Sequence, residues 1–110
     1  MSCLLLDPQR SGQLDVAVTC LRNDEPVALP TETVYGLAAR LSSERALAKV
    51  FFLKARPRCD PLIVHVLDQT SLGNLAREVL PLHKKLIDAF WPGPLALLLD
   101  KNPHYVSDLC

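Results

Sequence analysis

Nine prolines divide 110 residues into short pieces, and this punctuation constrains the fold more than any other feature. A proline has no N–H to give to a ladder or to a helix interior, so regular elements must start after it or stop before it. The pieces between prolines alternate in character. Val27–Leu29 is an apolar run held between Pro26 and Pro30 and reads as a buried strand. Residues 34–39 read as a second short strand. Residues 61–66 are apolar except for His65, the pattern of a strand covered on both faces. Residues 95–99, after the hard break Trp91-Pro92-Gly93-Pro94, read as a last buried strand.

Helix-period stretches fill the gaps. Leu14, Val18 and Leu21, with Ala17 beside them, mark one face of a helix over Gln13–Arg22, closed by Asn23-Asp24. Ser42 or Ser43 caps a second helix with Glu44 in its first turn. It runs to about Leu53, with Ala46, Leu47, Val50 and Phe51 as its apolar stripe and Lys49 facing out. A third is expected from about Ser71 to Leu80 with Leu72, Leu75, Ala76 and Val79 inward. Pro81 opens a fourth, with Leu82, Leu86, Ile87 and Phe90 on one side. Residues 2–6 suit an edge strand or an irregular arm, and residues 100–110 are polar and irregular. Strands alternating with helices place the chain in the α/β class.

An apolar fraction of 49% and a charged fraction of 22% are those of a soluble globular protein. Twelve basic and twelve acidic residues cancel, which excludes a general nucleic-acid or membrane binder and leaves local patches to do any such work. The four cysteines are scattered without metal-ligand spacing, so free thiols in a reducing, cytoplasmic compartment are expected, with no zinc site. The chain is read as having no signal peptide and no membrane span.

The chemistry-bearing groups lie at the two ends of one stretch. Thr31, Glu32 and Thr33 follow Pro30 in a turn, where their polar atoms either face a cleft at the strand end or bond their own backbone. Tyr35 is an ordinary strand tyrosine or part of the same cleft, and Gly36 marks a close approach or a bulge. Lys54, Arg56 and Arg58 form a dense cation cluster on a proline-restrained loop, suited to phosphate or carboxylate or else simply solvated. His65 inside its apolar run is a core histidine or a pocket residue. His83 and His104 carry no signal. Hydroxyls at one end and cations at the other suggest a small anionic or zwitterionic ligand. Neither GxxxxGK[ST] nor GxGxxG occurs, so a nucleotide would be held without either common phosphate loop.

Together, PTETVYGL, KARPRCDPLIVHV and FWPGPLALLL, in that order between residues 26 and 100, resemble the YrdC-type threonylcarbamoyl-adenylate synthases. The resemblance implies a twisted mixed sheet with flanking helices and a basic concave cavity. It implies a nucleotidyltransferase that converts L-threonine, bicarbonate and ATP into threonylcarbamoyl-AMP and pyrophosphate. The product serves the threonylcarbamoyladenosine modification of tRNA, through other tRNA-modification proteins. ATP is then a substrate, with Mg²⁺ bound through it. Carried over, the resemblance puts Thr31, Thr33, Tyr35 and His65 at the threonine site. It makes Lys54 and Arg56 catalytic and phosphate-binding, with Arg58 as an auxiliary cation.

Family domains run to roughly twice this length and complete the ATP site with a Ser-x-Asn motif that this sequence lacks. The expectation is therefore a single partial domain over 1–110, its motif-bearing core about 26–100, with an open sheet whose unpaired edges favour a homodimer. Three other readings stand beside the synthase: a double-stranded RNA or tRNA-binding module, an inactive truncated remnant, and the carbamoyl-transfer domain of a hydrogenase-maturation protein.

Overall fold

The structure is a computed structural model and describes residues 3–110. Ser2, where the first apolar run begins, and Met1 lie outside the described residues. The chain divides into two units, one ending at Arg58 and the other covering Cys59–Cys110.

In the first unit, α1 spans Gln13–Arg22, the bounds expected from its periodicity. It starts after Gly12 at φ 78, a conformation that a residue with a Cβ resists. Asp15 in its first turn and Arg22 in its last complement the helix dipole. None of its residues is buried, and Leu14, Val16 and Val18 are exposed. The chain turns at Asp24, whose φ of 62 is tolerated better by Asp and Asn than by other side chains.

Strands β1 (Val27–Leu29) and β2 (Gly36–Ala38) pair antiparallel, Val27 opposite Ala38 and Leu29 opposite Gly36. They form a hairpin whose loop is residues 30–35. β1 is not the buried strand expected, since Ala28 and Leu29 are exposed: a two-stranded ribbon cannot cover its own faces. β2 begins later than expected because the Thr31 hydroxyl takes the Val34 carbonyl. Helix α2 (Glu44–Lys54) is capped by Ser43, whose Oγ accepts from the Ala46 N–H at 3.2 Å. Ala46, Leu47, Val50 and Phe51 are its buried stripe, as the period requires. Lys49 lies half-buried at the edge of that stripe, its ammonium bonded to Glu25.

The second unit holds a 3₁₀ turn (Gln69–Ser71), α3 (Leu72–Leu75) and α4 (Pro81–Phe90). Asp68 caps the 3₁₀ turn, accepting from the N–H of Thr70 at 2.9 Å and of Ser71 at 3.4 Å. The Thr70 hydroxyl, then those amides, hold its carboxyl below the ordinary range. The helix expected over 71–80 stops at Leu75. The Leu75 carbonyl accepts from Asn102 N–H at 2.7 Å, and Arg77 N–H donates to Asp100 at 2.8 Å, so the backbone leaves the helix to bond a later segment. Ala76 bridges Lys101 antiparallel.

α4 starts at Pro81 as expected, and His83, which carried no sequence signal, accepts the Leu80 N–H on Nδ1 at 3.1 Å. Its buried residue is Ile87; Leu82 and Phe90 are exposed, against the expected four-residue face.

Two expected strands are corrected. Residues 61–66 and 95–99 form no ladder. Their burial nevertheless alternates: Leu62, Val64 and Val66 are half-buried between exposed Ile63 and His65, and Leu98 is fully exposed between half-buried Leu97 and Leu99. One side of each is covered and the other is open. Leu62 N–H donates to the Leu109 carbonyl rather than to a neighbouring strand.

The core of this unit is Leu72, Ala76 and Ile87, packed by Val79, Trp91, Leu97 and Leu99. Residues 100–110 are irregular as expected but not merely polar, since Val106 and Leu109 are buried. Lys101 Nζ holds that segment, donating to Ser107 O at 2.8 Å and Cys110 O at 3.3 Å and pairing with Asp108 at 2.9 Å. The Trp91 break is fastened by Nε1 donating to Leu95 O at 2.8 Å. A Cβ at Gly93 would stand 2.4 Å from the Phe90 carbonyl oxygen, so only glycine fits.

Among the described residues no helix is long and apolar enough to cross a membrane. Cys3, Cys20, Cys59 and Cys110 are not joined in disulfides.

Candidate ligand site

The hairpin loop brings Thr31 and Thr33 together, their hydroxyl oxygens 3.4 Å apart. Thr31 Oγ1 accepts from the Thr33 N–H at 3.3 Å and donates to the Val34 carbonyl. This is the self-bonded turn that threonine favours, so Thr31 shapes the loop. The Thr33 hydroxyl is held beside it and exposed. Glu32, Val34 and Tyr35 on the same loop are also exposed. A Cβ on Gly36 would meet Thr31 Cγ2 at 3.5 Å, an ordinary contact, and Gly36 is a regular ladder residue opposite Leu29.

The cation cluster begins on the last residue of α2. Ala55, at φ 48, turns the chain out of the helix. Arg56 N–H reaches back to Phe51 O at 3.0 Å and Ala55 N–H to Phe52 O at 3.2 Å, the two bonds of a Schellman end. The position suits glycine, and an alanine there is strained. Lys54 and Arg58 are exposed and Arg56 is half-buried. Cations at a helix C-terminus also face the negative end of its dipole. Hydroxyl loop and cation cluster both belong to the first unit. His65 belongs to the second, exposed, with Nδ1 3.3 Å from Ile63 O, so it is not the core histidine of one reading.

Asp24, marked in the sequence only as a helix stop, is brought by the fold against Arg40 and Arg45. Arg40 Nη2 bonds Asp24 Oδ1 at 2.8 Å, while Arg45 bonds Oδ2 through Nη2 at 2.8 Å and Nε at 3.2 Å. The Arg45 bond, then the Ser43 hydroxyl, then the Arg40 charge hold the Asp24 carboxyl below the ordinary range. Among the described residues, no three His, Cys, Asp or Glu side chains cluster closely enough to hold a metal ion.

Comparison with known proteins decides the family. The Sua5/YciO/YrdC family model, described as telomere recombination, matches residues 19–110. The chain belongs to the Sua5/YciO/YrdC family. It is similar to the threonylcarbamoyl-AMP synthase of Bacillus subtilis, 42% identical over 95 residues, which are 86% of this chain and 28% of that protein. It is similar to the synthase of Pyrococcus abyssi, 41% identical over 82% of this chain and 26% of that one. The solved structure of P. abyssi Sua5 complexed with L-threonine matches with a TM-score of 0.83 and 35% identity, over 96% of this chain and 32% of that chain. The chain thus spans about a quarter to a third of the length of these Sua5 and synthase relatives. The resemblance to YrdC-type proteins and the α/β class both stand.

Proposed function

We propose that this chain is the threonine- and phosphate-binding part of a threonylcarbamoyl-AMP synthase. The observation that carries the reading is the likeness, over nearly the whole chain, to a Sua5 structure complexed with L-threonine. It joins two features of the first unit, the hydroxyl loop of Thr31 and Thr33 and the cations at the end of α2. In this reading the Thr33 hydroxyl and Tyr35 meet the zwitterion, and Thr31 holds the loop that presents them.

Chemically, the threonine amine combines with bicarbonate or carbon dioxide to give a carbamate. A carbamate oxygen attacks the α-phosphorus of ATP in line, the α–β bridging bond breaks, and pyrophosphate leaves. Lys54 and Arg56 offset the charge on the phosphate oxygens, with Arg58 beside them. The donor set at residues 54–58 is cationic, which suits phosphate and not a metal, so Mg²⁺ arrives bound through ATP. The product serves tRNA modification in the cytoplasm, through proteins that consume it.

The test is pyrophosphate release from ATP by this chain with L-threonine and bicarbonate, alongside L-threonine binding by calorimetry. The expected result is saturable threonine binding, with any release abolished in Lys54→Ala/Arg56→Ala. A folded chain that neither binds threonine nor releases pyrophosphate overturns the reading and leaves the inactive remnant.

A further inference from the structure

Two groups of ligand residues stand on separate pieces of the first unit, and something must set their separation. The hydroxyls ride on the loop between β1 and β2. The cations ride on the C-terminal end of α2. Polar groups just ahead of β1 reach directly to α2.

Asp24 ends the turn after α1, its N–H bonded to Leu21 O at 3.1 Å and the next N–H, of Glu25, to Cys20 O at 2.9 Å. Its φ of 62 places it in the left-handed region, where the chain reverses out of α1. The carboxylate is only 14% exposed and is bracketed by two guanidinium groups of different origin. Arg40 follows β2 and takes one oxygen; Arg45, on the first turn of α2, takes the other through a fork. One turn further along α2, Lys49 takes Glu25. Consecutive acids before β1 thus hold consecutive turns of α2.

We propose that Asp24 is a positioning residue for the ligand site: by bonding Arg40 and Arg45 together, it sets where α2, and with it Lys54 and Arg56, stands relative to the loop of Thr31 and Thr33. This rests on the proposed synthase reading. A guanidinium fork fixes both distance and orientation, which a hydrophobic stripe alone does not, because apolar contacts are non-directional. Removing the carboxylate leaves the stripe of α2 intact and lets the helix slide on it. Phosphate binding at the far end of the lever then weakens more than threonine binding, whose hydroxyls ride on the hairpin itself.

The experiment titrates L-threonine and inorganic pyrophosphate separately into the wild-type chain, Asp24→Asn, and Arg45→Gln, which keeps the Arg40 bond. The thermal midpoint of each is recorded. The expected result is pyrophosphate affinity lowered about tenfold in both variants, corresponding to ~1.4 kcal/mol. Threonine affinity should change less than twofold, and Asp24→Glu should restore part of the loss. Equal weakening of both ligands in step with the thermal midpoint would overturn the positioning role and make Asp24 merely structural, as would unchanged affinities. A wild-type chain that binds neither ligand fails the synthase reading first, and the positioning role with it.

Discussion

The two units solve the same problem in opposite ways. In the first, one helix and its cap supply the buried set among the described residues, Ser43 to Phe51, and local signals specify it: a serine cap, a 3.6-residue stripe and a Schellman end. In the second, buried side chains come from pieces far apart in sequence, Leu72 and Ala76, Ile87, then Val106 and Leu109. They are joined by backbone bonds between 75–77 and 100–102 and by Lys101. A core built from one helix is written in its periodicity. A core assembled from separate segments depends on closing long loops, and little in any one segment announces it.

The comparison can be broken most severely at Phe51. Phe51→Ala empties the middle of the single-helix core and should cost about 3–5 kcal/mol, read by urea denaturation. In the second unit, Leu109→Ala should cost about 2–4 kcal/mol although its segment reads as a polar tail. A value near zero there would mean that this tail carries no core. Ala55→Gly sharpens the contrast in the other direction. It relieves a left-handed alanine at the end of α2 and should stabilise by about 0.5–1 kcal/mol, after the extra entropy of the unfolded glycine is subtracted. Leu98→Ser, on the open side of the unpaired segment 95–99, should stay within about 0.5 kcal/mol of wild type.

The smallest effect is acid sensitivity. Asp24, Asp68 and Asp108 all have folded pKa values below the ordinary carboxylate value, from their bonds to Arg45, Thr70 and Lys101 respectively. Their contribution is therefore complete above the unfolded value and is lost as pH falls from there through the folded values. Denaturation midpoints should hold steady down to about pH 4.5 and drop below it. Asp24→Asn should show a shallower drop, and an equal drop would remove Asp24 from the account.

What could be read from the sequence follows the same division. The bounds of α1 and α4 and the stripe of α2 were legible because helices form from local spacing. The exposed faces of Leu14 and Leu82 were not, because periodicity says which residues share a side and not whether anything covers it. Residues 61–66 and 95–99 have strand composition and even strand-like alternation, but a ladder needs a neighbour, and composition does not supply one. The helix expected to reach Leu80 lost its last turn to Asp100 and Asn102, a contact with no local trace. In the hairpin loop, Thr31 and Thr33 stood out through Pro30 and the paired hydroxyls, and the self-bonded turn is present. Asp24 read only as a helix stop. Its partners Arg40 and Arg45 lie beyond a hairpin, where no spacing rule reaches.

Trp91 is the only tryptophan of the chain, and its indole packs against Leu72, Ala76 and Ile87 while its N–H is tied to Leu95. The protein therefore carries a built-in optical reporter on one side only. Indole emission follows the core assembled from separate segments, whereas helical circular dichroism draws on α1, α2 and α4 in both units. Following the two signals through one denaturation distinguishes a chain that melts as a whole from one whose pieces let go in turn, with no label attached.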